Sequence, residues 1–258
     1  MHYIRELVKY RAMTGQLVRR DLCVRYRKSA FGFLWTFFNP LFQLVIYSMV
    51  FSVILKSGRE AYALFLFSAL VPWLFFSSSL TAGCTSILAM QDLVRKVYFP
   101  RMVLPISCVT GQLVHLQLSL PVVLAACWIG ERPVRLCALA WLPVLIVVEY
   151  LLALALACIL ACVTVYLRDV EQFTSLALMG WQFLTPVMYD AQQVPEELRW
   201  IFRLNPMTPI ITGFREVMFY GNRLCLKSLV WPFAVGIVFL ILGIWMFYRL
   251  EGDIAENL

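Results

Sequence analysis

Residues 136–167, LCALAWLPVLIVVEYLLALALACILACVTVYL, decide the fold of this chain, because Glu149 is their only charged residue. An α-helix needs about 20 consecutive apolar residues to cross the hydrocarbon core of a bilayer. The stretch exceeds that length and carries no proline or glycine after Pro143. It therefore predicts a transmembrane helix.

Other charge-poor windows lie on both sides of this stretch. Apolar residues make up 62% of the 258 residues and charged residues 14%, with a mean hydropathy of +0.79. A soluble domain has about half apolar and a quarter charged residues, so a large soluble domain is excluded. We predict an all-α integral membrane protein with six transmembrane helices, in the windows 29–55, 61–91, 102–130, 136–167, 172–189 and 228–248.

The N-terminal region is strongly basic, with eight of the 22 Lys and Arg residues in the first 28 positions. A basic stretch directly before a span is typical of the cytoplasmic side and of contact with anionic lipid headgroups. We predict an amphipathic interface helix over residues 1–28, in contact with membrane lipids and not with nucleic acid. The segment is too long for a cleavable signal peptide. Both termini are expected in the cytoplasm, which puts 13 Lys and Arg residues inside and nine outside.

The segment 190–227 does not match a simple loop, because short apolar pieces alternate with charges and are interrupted by Pro206, Pro209 and Gly213. These pieces are too short to span a bilayer. Two interpretations stay open: a pair of short re-entrant helices before the last span, or a surface loop with two amphipathic helices. The segments 228–248 and 249–258 follow as the sixth span and a cytoplasmic tail, in a single domain over residues 1–258.

Ionisable and thiol groups give little sign of catalysis or metal binding. The eight cysteines form no CxxC pair, and Cys158 and Cys162 share a helix face without a histidine nearby, so we interpret them as small buried hydrophobic residues. A carboxylate inside a span is a functional-site hypothesis by default. We interpret Glu149 as a structural hydrogen-bonding group, either protonated or paired with another helix. His115 is the other ionisable residue clearly within a span.

A phosphate-binding P-loop requires a lysine directly after a glycine. None of the five lysines follows a glycine. The chain is therefore predicted to lack an ATPase site of this kind.

Five stretches occur in a distinctive order along the chain. They are Arg20-Asp21-Leu22 to Arg25-Tyr26-Arg27 with Ser29, Gly32, Trp35 and Pro40; Pro72-Trp73 with Phe75-Phe76; 93–101 (LVRKVYFPR) with Leu104-Pro105; Tyr166-Leu167-Arg168-Asp169-Val170; and Pro186-Val187-Met188-Tyr189 with Val194-Pro195 and Asn205-Pro206-Met207. Together they resemble the membrane subunit, or permease, of ABC-2-type polysaccharide exporters, which serve O-antigen, capsule and teichoic acid. The likeness covers nearly the whole chain.

The resemblance implies a half-transporter in a bacterial cytoplasmic (inner) membrane. Two copies would form a homodimer around a wide pathway for a lipid-linked polysaccharide, as in lipopolysaccharide O-antigen export. Two copies of a separate ABC subunit would bind ATP and Mg, so no cofactor is expected in this chain.

The resemblance also suggests which residues couple the chain to the ATP-binding subunit. A short helix in the stretch 91–101, with a charged and an apolar face and ended by Pro100, would fit a groove of that subunit. A positive-inside anchor loop remains the alternative. The coupling candidates are Arg20, Asp21, Arg25, Gln91, Asp92, Arg95, Lys96 and Arg101.

Two further sets concern the polysaccharide. Aromatic faces stack weakly on sugar rings, and the family lines its pathway with the first and fifth spans, which selects Trp35, Phe38, Tyr47, Trp181, Phe183 and Tyr189. Aromatic belts and lipid-facing residues are the alternative for each. Gate candidates outside the membrane are Glu196, Arg199, Arg203, Arg215 and Glu216, as ion pairs, as ligands of acidic groups on the polymer, or as solvated helix faces.

Two other functions remain as alternatives for this sequence. An ABC-2 permease for a lipid or a small drug typically has a larger external domain or lacks the combination of 99–101 (FPR) and 205–207 (NPM). A proton-driven transporter or a membrane enzyme would need clustered acids or histidines within the membrane.

Overall fold

The computed structural model describes residues 2–26, 38, 41–42, 45–46, 49 and 61–256. Within these residues the secondary structure is helical and contains no β-strand. The predicted first span, with Trp35 and Tyr47, lies outside the described residues apart from the few named positions. The prediction of an all-α membrane protein is confirmed for the described part of the chain.

Eleven α-helices are described, and three single 3₁₀ turns lie between them, at Leu88–Met90, Ala191–Gln193 and Glu196–Leu198. The helices are α1 (His2–Lys9), α2 (Arg11–Tyr26), α3 (Tyr62–Thr85), α4 (Gln91–Lys96), α5 (Val103–Ile129), α6 (Leu136–Leu139), α7 (Leu142–Tyr166), α8 (Val170–Phe183), α9 (Arg199–Leu204), α10 (Met207–Met218) and α11 (Leu226–Glu256).

Four of the predicted spans correspond to helices that are long and apolar enough to cross a membrane. They are α3, α5, α6 with α7, and the first 25 residues of α11. The predicted fifth span is shorter than expected, because α8 ends at Phe183 and turns follow. The predicted tail begins inside α11, which continues to Glu256. The count of six spans stays a prediction.

The long stretch that decided the fold forms the centre of the bundle. Helix α7 packs against α3, α5, α8, α10 and α11. A Cβ atom placed on Gly83 of α3 would lie 2.5 Å from the Cβ atom of Ala157, and one on Gly243 of α11 would lie 3.2 Å from that of Cys158. Small residues allow membrane helices to approach closely. Cys158 and Cys162 are buried free thiols within this packing, as predicted.

The predicted interface helix is a pair of helices, α1 and α2, separated by a turn at Tyr10. Helix α2 packs against α5, where a Cβ on Gly111 would lie 3.4 Å from the carboxylate of Asp21. Leu17 belongs to a buried cluster with Val94 and Phe99. The N-terminal helices are therefore attached to the bundle at the end where α5 begins.

The opposite end of the bundle is closed by packed loops. Gly221 has a left-handed φ of 63°, and a Cβ there would overlap the carbonyl group of Pro133. The Arg132 guanidinium lies 4.9 Å from the centroid of the Phe219 ring. The loop before α6 and the loop before α11 therefore form one surface.

Candidate functional site

The segment between α8 and α11 folds back into the bundle. Helix α10 packs against α3 and α7, and Met207, Ile210, Ile211, Phe214, Val217 and Met218 are fully buried. Helix α9 lies at the surface, with Trp200 61% exposed. A surface loop with two amphipathic helices would not bury α10 in this way. The arrangement favours the interpretation in which the segment re-enters the bundle.

Asn205 lies two positions before α10 and binds its first turn. Its Oδ1 atom accepts a hydrogen bond of 2.9 Å from the backbone N–H of Met207, one of the N–H groups that a helix leaves without an internal partner. The same oxygen accepts a bond of 2.9 Å from Trp181 Nε1 on α8. Asn205 therefore links the start of α10 to the end of α8.

The amide nitrogen of Asn205 binds the turn that follows α8. Its Nδ2 atom donates at 2.9 Å to the carbonyl oxygen of Leu184 and at 2.9 Å to Thr185 Oγ1. Asn205 is only 8% exposed, so its amide is surrounded by protein and its hydrogen-bonding groups are paired, as burial of a polar group requires. One side chain thus fixes three separate segments.

Arg215 on α10 binds the next part of the same turn. Its guanidinium donates to the carbonyl oxygens of Pro186 at 2.8 Å, Val187 at 2.9 Å and Tyr189 at 3.2 Å. The guanidinium carbon lies 3.8 Å from the centroid of the Phe65 ring on α3. These contacts pair the two terminal nitrogens of a guanidinium that is only 3% exposed, and they stack it on an aromatic ring.

The carbonyl oxygen of Met188, between Val187 and Tyr189, is also bound. Tyr62 Oη on α3 donates to it at 2.6 Å. The backbone from Pro186 to Tyr189 therefore offers four successive carbonyl groups, each of which accepts from a side chain of α3 or α10. Non-helical backbone within a membrane protein requires such partners. We define residues 184–189 as the clamped turn.

The remaining gate candidates lie outside this clamped turn. Arg199 Nη1 and Glu196 Oε1 form an ion pair of 3.0 Å at the surface, and Arg203 is exposed. Glu216 Oε2 accepts from Asn222 Nδ2 at 2.7 Å. The sequence grouped Arg215 with these residues, and the structure separates it from them by burial. A gating role stays a prediction for each.

The pathway candidates differ in what they contact. Trp181 packs edge-on to Phe76, with ring centroids 5.2 Å apart, in addition to its bond to Asn205. Tyr189 donates to the carbonyl oxygen of Phe183. Phe38 and Phe183 are exposed, by 45% and 57%. Of the candidates within the described residues, these two are the most exposed to solvent or lipid, and their role in contacting a polymer stays a prediction.

One side of α8 carries large exposed apolar side chains. Phe173, Leu176, Met179 and Phe183 recur at helical spacing and are more than half exposed, while Thr174 and Leu178 on the other side are buried. We call these four residues the α8 face.

The coupling candidates 91–96 form the predicted short helix, α4. Asp92, Arg95 and Lys96 are exposed. Two details differ from the sequence prediction. Val94 packs into the cluster of the same chain that contains Leu17, so it is not available to a partner. The helix ends at Lys96 and not at Pro100, because Val97 is already extended.

The other coupling candidates lie on neighbouring elements. Arg20 is exposed and Asp21 half-buried on α2, Arg101 is half-buried before α5, and the side chain of Arg25 is outside the described residues. Leu17, one turn before Asp21, packs in one cluster with Val94 of α4. The structure therefore brings α2 and α4 together at one end of the bundle.

Tyr62 and Asn205 have structural roles that the sequence did not predict. No local sequence signal distinguishes Tyr62 from the other tyrosines. Asn205 was noted only as part of a motif, where the Asn-Pro pair before an apolar helix is a recognisable cap signal. Both bind the clamped turn.

Glu149 is completely buried in α7, and neither carboxylate oxygen has a hydrogen-bond partner within the described residues. The hydrogen-bonding role predicted for it therefore has no counterpart in this part of the chain. Its neighbour Tyr150, by contrast, pairs with Thr110 of α5 at 2.9 Å between the hydroxyl oxygens.

Comparison with known proteins places these features in a family. The family described as ABC-2 type transporter matches residues 14–219, a range that contains all the matching motifs. The chain is 35% identical to the O-antigen export system permease protein RfbA of Myxococcus xanthus, over 99% of this chain and 98% of that protein. It is 32% identical to a protein of the same name from Klebsiella pneumoniae, over 94% and 93%. The resemblance seen in the five motifs is confirmed, and the chain belongs to the ABC-2 type transporter family.

Proposed function

We propose that this chain is the transmembrane subunit of a bacterial ABC exporter that moves a lipid-linked polysaccharide across the inner membrane. The observation that carries the proposal is the match to two O-antigen export permeases over more than nine-tenths of each chain. The apolar spanning helices are those of a membrane subunit. Because the alignment with the Myxococcus xanthus protein covers 99% of this chain, it includes both α4 and the segment 190–227 that re-enters the bundle.

The energy for transport comes, in this proposal, from a separate ATP-binding subunit. None of the five lysines follows a glycine, so the chain lacks the sequence that a P-loop needs to hold phosphate groups. ATP and Mg would be bound by that partner. The exposed charges of α4, together with Val97 and Tyr98, which are 50% and 75% exposed, form the surface on which we expect it to dock.

Two copies of the chain would enclose the pathway. The α8 face supports this part of the proposal, because four large apolar side chains at helical spacing offer a surface to a second copy or to the polymer. A polysaccharide with alternating apolar and hydroxyl faces can slide along Phe38 and Phe183 through weak stacking. The N-terminus, with α4, would lie in the cytoplasm, in keeping with eight basic residues before the first predicted span.

A paired charge reversal tests the coupling surface. We expect Arg95→Glu with Lys96→Glu to abolish display of the polysaccharide at the cell surface and to weaken co-purification of the ATP-binding subunit. The matched control is Arg223→Glu with Lys227→Glu. It reverses two exposed charges that lie, in the proposed orientation, on the opposite side of the membrane from α4. Normal export and normal co-purification in the first variant would contradict the coupling role, and normal surface polysaccharide after deletion of the chain would contradict the function itself.

A further inference from the structure

A groove of about 480 Å³ separates the N-terminal helix pair from the start of α5. Its apolar walls are formed by Leu7, Val8, Val18, Val103 and Ile106. It lies outside the segment that re-enters the bundle and outside α4, so neither the gate nor the coupling surface accounts for it.

The threonine hydroxyl groups in the groove are already paired. Thr14 Oγ1 donates to the carbonyl oxygen of Tyr10 at 3.4 Å. Thr110 Oγ1 lies 2.7 Å from the carbonyl oxygen of Ile106 and 2.9 Å from Tyr150 Oη. The walls therefore present methyl and methylene groups, and the occupant that suits them is a hydrocarbon chain.

The depth of the groove fits an occupant from the bilayer. Val103, Ile106 and Thr110 are in the first two turns of α5, which is long and apolar enough to span a membrane. Two turns rise about 11 Å from the helix end, which is within one leaflet. An open apolar groove at that depth faces lipid tails and not water.

The rim of the groove is basic. Arg11 lines it, is exposed, and forms no ion pair with any carboxylate of the described residues. Lys9, two positions before Arg11, is exposed as well. An arginine at a leaflet surface is suited to binding a phosphate diester, because its planar guanidinium donates two parallel hydrogen bonds.

We propose that this groove is a binding site for one anionic phospholipid, with an acyl chain between α2 and α5 and the lipid phosphate on Arg11. The lipid attaches the N-terminal helices to the bundle at the end where α4 also lies. The proposal depends on the chain being a membrane protein and does not depend on which substrate it exports.

Gly15 allows the groove to be filled without disturbing the fold. A Cβ atom on Gly15 meets no atom within 4 Å, so a larger side chain has open space. Replacing the glycine also raises the helix propensity at this position. Gly15→Leu is expected to occupy the groove, whereas Gly15→Ala leaves most of it open and serves as its matched control. Arg11→Gln removes the rim charge, with Arg19→Gln as the control on α2.

The experiment is native mass spectrometry of the intact protein from nanodiscs that contain phosphatidylglycerol and phosphatidylcholine with identical acyl chains. We expect the wild type, Gly15→Ala and Arg19→Gln to retain phosphatidylglycerol preferentially. Gly15→Leu should lose most of it. Arg11→Gln should retain about fivefold less, the factor that corresponds to roughly 1 kcal/mol per basic residue near an anionic surface. Equal retention of phosphatidylglycerol by all variants would overturn the proposal. Equal retention of phosphatidylglycerol and phosphatidylcholine by the wild type would overturn it as well.

A second measurement uses only the wild-type chain, so it does not depend on the folding of a variant. Phosphatidylglycerol with a diazirine in its acyl chain is cross-linked by light in the same nanodiscs, and the labelled peptides are mapped. Labels within residues 7–18 and 103–110 support the site. Labels confined to other helices would refute it.

Discussion

Trp181 Nε1 donates a hydrogen bond of 2.9 Å to Asn205 Oδ1, which joins the end of α8 to the segment just before α10. The same asparagine binds Leu184 and Met207. Helix α8, the clamped turn and α10 are therefore connected through side chains as well as through the chain itself. We infer that they move as one unit when the transporter changes conformation.

Asn205→Ala is expected to loosen this unit. The change removes four hydrogen bonds and leaves buried groups without partners, each at a cost of about 1 kcal/mol, so we expect a loss of about 4 kcal/mol. Hydrogen–deuterium exchange should rise in residues 184–189 and in the first turn of α10. Asn222→Ala is the control, because Asn222 is exposed and bonds to Glu216 only at the surface. Equal exchange in both variants would argue against the clamp.

Arg215→Lys should fail to replace the arginine despite the retained charge. An ammonium group is a compact donor and cannot reach three carbonyl oxygens in a fixed fork while stacking on Phe65. We expect both Arg215→Lys and Arg215→Met to reduce the thermal stability of the purified protein. The exposed Arg203→Lys provides the control. Wild-type stability for Arg215→Lys would mean that charge alone is required at this position.

Gly83→Val tests the close approach of α3 and α7. Even a Cβ atom at this position would lie 2.5 Å from that of Ala157, so the two helices must separate. Overpacking of this kind typically costs about 1–3 kcal/mol. We expect a lower yield of monodisperse protein in gel filtration. Gly180→Val is the control, because a Cβ on Gly180 meets nothing within 4 Å. Equal yields for the two variants would be inconsistent with the observed packing.

Glu149→Gln is expected to preserve the fold. A neutral amide has nearly the same shape and is less costly to bury than a carboxylate for which the described residues provide no hydrogen bond. Glu149→Lys should prevent folding, because it places a longer cation in the same buried position. Thermal unfolding of the purified variants measures both. A strong loss of stability in Glu149→Gln would indicate that the carboxylate has a partner outside the described residues.

Much of the fold could be predicted from the sequence because membrane spans are local. The hydrophobicity of residues 136–167 is enough to require a helix in a bilayer, whatever surrounds it. A short helix was likewise predicted within residues 91–101, and α4 forms it, although it ends at Lys96 and not at Pro100. The length of α8 could not be predicted in the same way, since an uncharged window does not reveal where backbone turns replace the helix.

The candidate site was predicted less completely. Pro186, Asn205 and Arg215 were all named from the sequence, but their mutual contacts were not. Arg215 was grouped with surface charges because arginines are mostly exposed. Its burial depends on carbonyl groups 26 to 29 positions earlier in the chain and on Phe65 of α3.

The sequence by itself determined that this chain is a helical membrane protein of the ABC-2 type, because apolar length, charge asymmetry and ordered motifs are properties of the chain alone. Only the tertiary structure decided that α10 is buried, that Val94 faces its own chain, and that Asn205 and Arg215 hold one turn. The physical reason is that hydrogen bonds and packing join residues that are distant in sequence. Their partners are fixed only when the helices are assembled.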